Sequence, residues 1–173
     1  NAVNCYDGIS TKVIRLSEYF PSLEDANIHN FCGNDSALYL LAENNIICID
    51  LQMRQPFMPE ITATAICYSD NQLYTVEGHS LYRCNIWSGE KEILFSDERY
   101  VFTLITPIGD NQFWIGTTTG VLKVDLTEKR IITTCFQEEN ITTQFLDSES
   151  RLWLSAKSGL AAVVSPNGES IVL

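Results

Sequence analysis

Four segments of this chain carry an apolar pair whose second member is aromatic: Leu38-Tyr39, Leu73-Tyr74, Phe113-Trp114 and Leu152-Trp153, at steps of 35, 40 and 39 residues. Eight residues after the first member of each pair stands an aliphatic residue, at Ile46, Leu81, Val121 and Leu160. The outer spacing varies while the inner spacing does not. A fixed internal distance in four copies is what one repeated structural unit leaves in a sequence.

The segments between the two anchors are short and polar or glycine-bearing: Glu43-Asn44-Asn45, Glu77-Gly78-His79-Ser80, Thr117-Thr118-Thr119-Gly120 and Lys157-Ser158-Gly159. Each copy therefore holds a hairpin. Ahead of each pair lies another turn signal, such as Asp70-Asn71-Gln72 or Gly109-Asp110-Asn111-Gln112, preceded by a β-rich run such as Ala65-Ile66-Cys67-Tyr68. After the second anchor comes a further run, Glu92-Ile93-Leu94-Phe95 or Arg130-Ile131-Ile132-Thr133. Four short strands per repeat result, and no helical stripe competes with them; Ser22 to Ala26 predicts one helical turn at most. A β-sandwich gives no reason for a repeated internal spacing, and β-helix repeats are shorter. The pattern predicts an all-β chain, a β-propeller fragment of four-stranded antiparallel blades.

Val3-Asn4-Cys5-Tyr6-Asp7 resembles the third strand of a repeat, and Lys12-Val13-Ile14-Arg15-Leu16 the fourth, so the chain begins in mid-blade. The expected organisation is about four full blades plus a partial N-terminal one. The partial blade covers 1–20 and the full blades 28–58, 62–96, 101–137 and 141–173, all in one propeller domain.

Composition narrows the partners. Eleven Lys and Arg against 22 Asp and Glu give a net charge of -11, which repels a phosphate backbone and an anionic membrane surface. Nucleic acid is thus excluded as a partner class. No run approaches the roughly 20 apolar residues of a membrane-spanning helix, so no direct membrane insertion is expected. The six cysteines, at 5, 32, 48, 67, 84 and 135, form no short paired spacing. They predict buried free thiols rather than a zinc site.

The segment Asp110-Asn111-Gln112-Phe113-Trp114-Ile115-Gly116-Thr117, followed by Gly120-Val121-Leu122-Lys123-Val124-Asp125, resembles the two-component regulator propeller repeat: a polar turn, L-W-I-G-T, a short turn, G-L and an Asp-ended strand. Arg151-Leu152-Trp153-Leu154-Ser155 with Ser158-Gly159-Leu160 is a looser match, and the Leu73 and Leu38 copies share the spacing alone. The resemblance implies a periplasmic sensor region of a hybrid two-component system histidine kinase of gut bacteria, detecting oligosaccharides and signalling through the membrane. This segment would then be a piece of the extracytoplasmic part of an inner-membrane receptor, working with the rest of that receptor. The motif residues themselves serve packing. Trp114 and Trp153 are expected between neighbouring blades, with Gly116, Gly120 and Gly159 relieving crowding or supplying positive φ.

Catalytic patterns are absent: there is no G-x-S-x-G, H-E-x-x-H or phosphate-binding glycine loop, and His29 and His79 are the whole histidine inventory. His79 and Ser80 are adjacent, and extended neighbours point to opposite faces. No catalytic residue, metal site or cofactor is expected, and the segment is read as no enzyme. A lyase- or lactonase-type propeller would need a metal or acid-base cluster at the channel mouth. The acidic turns at Asp110 and Asp147 lack calcium-loop spacing and read as turn formers.

Binding is the better prospect. Two positions before the second anchor stand Asn44, His79, Thr119 and Ser158, and the links between blades add Glu60, the run Asp97-Glu98-Arg99-Tyr100 and Glu138-Glu139. The candidate ligand-binding residues are Asn44, His79, Thr119, Ser158, Tyr100 and Arg99, with Tyr100 or Trp87 as aromatic platform. The acidic balance favours a neutral oligosaccharide. An arc of blades leaves its end sheets without neighbours, so a homodimer joined at blade ends is expected. The alternative is a protein-interaction or dimerisation scaffold.

Overall fold

The computed structural model describes residues 2–6, 8–52 and 55–173; Asp7, which ends the expected third strand of the partial blade, lies outside them. Among these residues, 18 strands form one two-stranded and four four-stranded antiparallel sheets. The fold class is all-β, a β-propeller fragment of four-stranded blades. The chain divides into two compact units, Asn1–Thr62 and Ala63–Leu173.

In the first unit, β1 (Ala2–Tyr6) pairs with β2 (Thr11–Arg15), and β3 (Ile28–Gly33), β4 (Ala37–Ala42), β5 (Asn45–Asp50) and β6 (Pro56–Phe57) form a sheet in chain order. Between β2 and β3 the helical turns are of 3-10 type, at Leu16–Glu18 and Pro21–Leu23. The turn expected over Ser22 to Ala26 thus begins and ends earlier, because Pro21 at the first position fixes φ for a helical start. Ile14, Leu16 and Leu23 pack against Leu40, Ile47 and Ile49 to make this unit's core.

The second unit holds three sheets in chain order: β7 (Ala65–Ser69) to β10 (Glu90–Ser96), with β8 (Gln72–Glu77) and β9 (Ser80–Asn85) between; β11 (Phe102–Gly109) to β14 (Arg130–Cys135), with β12 (Gln112–Thr117) and β13 (Gly120–Asp125); and β15 (Ile141–Leu146) to β18 (Ser170–Val172), with β16 (Leu152–Ala156) and β17 (Ala161–Val164). The first strands β7, β11 and β15 lie side by side. Two cores fill the spaces between consecutive sheets. In one, Tyr74 meets Phe113 with ring centroids 4.9 Å apart. In the other, Trp114 and Val121 pack on Ile141, Leu152 and Leu154.

The register explains the sequence repeat. The residue three beyond the first anchor faces the second anchor across a two-residue turn: Leu41 faces Ile46, Val76 faces Leu81 and Gly116 faces Val121. A two-residue loop fixes register, and the eight-residue spacing follows. The fourth copy departs. Ser155 faces Ala161, so its turn is one residue longer, and Leu160 is half-buried outside the strand while the other three anchors are fully buried.

Two further devices recur. Asp70-Asn71 and Asp110-Asn111 both have positive φ at both residues, the type I′ hairpin turn that Asp and Asn tolerate best among residues with a side chain. A β-bulge sits at one place in three first strands, skipping His29, Thr103 and Thr142. There Thr103 Oγ1 donates to the Gly116 carbonyl at 3.1 Å and Thr142 Oγ1 to the Ser155 carbonyl at 3.2 Å, which satisfies a carbonyl beside the break in the ladder.

Of the two motif tryptophans, Trp114 is buried between sheets, whereas Trp153 is 38% exposed. The expectation of blade-to-blade packing is therefore corrected for Trp153: its face of the β15–β18 sheet has no described sheet against it. Its indole Nε1 instead donates to Asp147 Oδ2 at 2.8 Å. That aspartate also accepts from the backbone N–H groups of Glu149 and Arg151, which is the turn-forming role its sequence position suggested.

These bonds hold the Asp147 carboxyl well below its ordinary value of 3.8, the Trp153 bond contributing most. Asp97 is lowered chiefly by Arg99 and Asp125 chiefly by the Glu128 N–H. A carboxylate depressed in the folded state stabilises it above the unfolded pKa and ceases to do so as pH falls through the folded value. The urea midpoint is expected to hold from pH 7 to 5 and to fall below about pH 4. Asp147→Asn should flatten part of that acid limb; an unchanged limb would remove Asp147 from the account.

Candidate functional site

In each sheet of the second unit, the turn between the second and third strands and the link to the next sheet lie at one end. Backbone bonds fasten them together. Phe102 N–H donates to the Gly78 carbonyl at 2.7 Å, Asp97 N–H to His79 at 3.0 Å, Glu138 N–H to Thr119 at 3.3 Å and Lys157 N–H to Asn140 at 2.8 Å. Five of the six candidate residues, His79, Arg99, Tyr100, Thr119 and Ser158, lie at this end. Asn44 occupies the corresponding turn of the β3–β6 sheet in the first unit and is exposed.

Three of the five are brought into contact. His79 Nδ1 lies 2.8 Å from the Tyr100 carbonyl oxygen. A carbonyl only accepts, so Nδ1 carries the hydrogen and Nε2 of a neutral ring is an acceptor. Arg99 is bound in two places to Asp97, Nε to Oδ1 at 2.9 Å and Nη2 to Oδ2 at 2.6 Å, and its guanidinium lies 5.4 Å from the Tyr100 ring centroid. The paired carboxylate raises the Arg99 pKa further above its ordinary value. The guanidinium is thus paired with Asp97 beside the Tyr100 ring, while its side chain stays 72% exposed. Tyr100 is half-buried, its ring against the core between the first two sheets.

On the third sheet, Ser158 Oγ donates to Glu139 Oε2 at 2.5 Å. Thr119 is exposed, and its N–H donates to Thr117 Oγ1 at 3.1 Å. Sequence reasoning had named Asp97 and Glu139 only as members of acidic runs. Their roles as the fixed partners of Arg99 and Ser158 needed the fold to bring residues 139 and 158 together. Trp87, the other expected platform, sits in the turn between β9 and β10, at the opposite end of its sheet, and is 77% exposed. Chain direction alone decides this, since third-to-fourth turns close the far end of each hairpin ladder.

A second polar groove, of about 510 Å³, lies over β9 and β10. Its charges are bound to one another or to a neighbour, Arg83 to Glu92 at 2.5 Å and Lys91 to Glu77 at 2.6 Å. The six cysteines are free thiols. Burial pushes Cys32 up to about 12, and burial followed by Asp50 pushes Cys48 up to about 11, so neither offers a thiolate at neutral pH. Among the described residues no group of three or more His, Cys, Asp or Glu could hold a metal ion, and no helix is long and apolar enough to cross a membrane.

No family model matches the chain, and no curated protein does. Solved structures do. The extracellular domain of the putative hybrid two component system BT4673 from B. thetaiotaomicron is 19% identical over 85% of this chain and 22% of that one, with a TM-score of 0.68. The extracellular domain of the putative hybrid two component system BT3049 from the same organism is 16% identical over 86% of this chain and 22% of that one, TM-score 0.62. The computationally designed Ika4 protein is 15% identical over 82% of this chain and 92% of its own, TM-score 0.62. The chain thus spans 22% of the length of the two-component domains it resembles. At these identities the likeness is one of fold, and with the sheet order above it identifies the chain as a β-propeller segment built from four-stranded antiparallel blades.

Proposed function

We propose that this chain is a ligand-sensing propeller segment of a periplasmic hybrid two-component sensor, which detects an oligosaccharide at the end of the sheets carrying His79, Tyr100, Thr119 and Ser158 and signals to a histidine kinase in the rest of the receptor. The observation that carries the reading is that polar groups of three consecutive sheets, His79, Thr119 and Ser158, stand at one end of the second unit, the first and last held by hydrogen bonds, beside an aromatic ring with Arg99 next to it. Sugars need such donors and acceptors with an apolar platform. The fold likeness to extracellular domains of hybrid two-component systems supports the same reading. Asp97, Glu98, Glu138 and Glu139 make this end acidic, which favours a neutral sugar over a sulfated or carboxylated one.

The segment is read as non-enzymatic. Its Arg99 and Ser158 side chains are already bonded to carboxylates, and burial raises the Cys32 and Cys48 thiols. It is also read as self-associating into a homodimer, which favours an interaction-scaffold role as the second reading.

Thermal shift against panels of neutral and acidic oligosaccharides tests the proposal. A ligand at about 100 times its Kd adds about 2.7 kcal/mol of stability, read as a rise of several degrees in Tm. His79→Ala and Ser158→Ala, at exposed positions, are expected to keep the melting point of the free protein and to lose most of the neutral-sugar shift. Silence across the panel, or a shift that both variants retain, would overturn the sugar site.

A further inference from the structure

Trp87, at the opposite end of its sheet from His79 and Tyr100, is 77% exposed, against 2% for Trp114 and 38% for Trp153. Its turn is fixed. Asn85 Oδ1 accepts from the backbone N–H groups of Trp87 at 3.0 Å and Ser88 at 3.2 Å. The Gly89 N–H donates to the Asn85 carbonyl at 2.9 Å, and Ser88 Oγ donates to Glu90 Oε2 at 3.0 Å. An exposed indole on a turn held this way presents an apolar plane at little ordering cost.

The two strands that this turn joins carry the polar groove of about 510 Å³, a volume within the range of small-ligand sites. Gln72, Arg83, Asn85, Glu90 and Glu92 line it, and strand alternation puts them on the face of Tyr74. The next sheet buries Tyr74 against Phe113 yet leaves the Arg83 and Glu92 side chains 46% and 59% exposed. The groove is therefore open with the following blade already in place. In its lining the cations Arg83 and Lys91 balance the anions Glu90 and Glu92, so it has no net charge although the chain carries -11. Arg83 Nε and Nη2 both donate to Glu92 Oε2, at 3.1 and 2.5 Å. That pairing fixes both side chains and leaves Arg83 Nη1 as a donor and Glu92 Oε1 as an acceptor, while the exposed Gln72 amide supplies both kinds of group.

We propose that this groove and Trp87 form a second binding site, for a neutral saccharide. A pyranose ring has an apolar C–H face that an indole covers and a rim of hydroxyls that both donate and accept, which matches a charge-balanced groove of mixed donors and acceptors beside an aromatic plane. An anionic ligand would meet Glu90 and Glu92, and an apolar one would strip water from the paired charges without replacing its hydrogen bonds. The site lies at the other end of the sheet from His79 and is independent of the one proposed there.

NMR of the chain with isotope-labelled indoles tests it. The sequence has 3 tryptophans, and Trp87→Phe identifies which indole N–H signal belongs to Trp87. Titration with cellotetraose, maltotetraose and xylotetraose is expected to move that signal saturably with at least one of the sugars and to leave the signal of buried Trp114 in place. Gln72→Ala with Arg83→Ala, both at exposed positions, should keep the far-UV spectrum and weaken the titration about tenfold or more. A Trp87 signal that none of the sugars moves overturns the site, and so does a shift that the double substitution leaves intact. A sugar that raises the melting point through His79 and Ser158 while the Trp87 signal stays still supports the other end of the sheet and overturns this one.

Discussion

Replacing Trp114 by alanine is expected to cost about 3–5 kcal/mol and to lower Tm by roughly 10 °C or more. The side chain is 2% exposed and fills the space between the second and third sheets of its unit, among Val121, Ile141, Leu152 and Leu154. The covering sheet is also fastened there, by the Gln144 amide donating to Thr106 Oγ1 at 2.9 Å and to the Trp114 carbonyl at 3.2 Å. Truncation leaves a cavity that two sheets must close by sliding on each other, which interdigitated side chains resist. Trp153→Ala is the control. It removes the same residue type from the same motif position, but from a face with no described sheet over it, and in dilute monomer it should cost a small part of that amount. The comparison is made by urea titration at low protein concentration. Equal losses at both positions would show that sheet-to-sheet burial does not set the energetics.

The second large effect is expected at Gly120. Its φ is +130°, and a Cβ added there would lie 2.9 Å from the Cys135 carbonyl oxygen and 3.1 Å from that of Phe136. Both obstacles are backbone, so the neighbouring strand end has to move, and the positive φ adds its own strain. Gly120→Ala is expected to lose roughly 3 kcal/mol. Gly159, in the matching turn of the next sheet, has φ +94° with nothing within 4 Å of the added Cβ. Gly159→Ala therefore isolates the conformational cost, on the order of 1–2 kcal/mol. Calorimetric melting of the two variants side by side measures the difference. If Gly120→Ala costs no more than Gly159→Ala, the close approach of the carbonyls is irrelevant.

The repeat was readable in the sequence because two local rules write it there. A two-residue turn fixes the distance from Leu73 to Leu81 and from Phe113 to Val121, and Asp-Asn at 70–71 and 110–111 marks the tight hairpins. The bulges at His29, Thr103 and Thr142 left no such mark, since a polar residue in a strand reads the same whether it is bulged or paired. The fourth anchor, Leu160, kept its spacing while its turn gained a residue, a change that a count of positions does not reveal. The positions two before the anchor, Asn44, His79, Thr119 and Ser158, fall in or beside the turn between the second and third strands of their sheets, because strand direction alternates in a meander. What engages them was hidden, because the partners of His79 and Ser158 are 21 and 19 residues away.

The sequence by itself determined the class of fold and the phase of the strands that flank the two-residue turns, since turn chemistry and alternation act over a few residues and need no distant partner. Only the tertiary structure decided which surfaces are covered. Trp114 and Trp153 stand at the same point of the same motif and differ because one has a sheet packed upon it. Burial is a property of what arrives from elsewhere in the chain, or from another chain, and no local pattern records it.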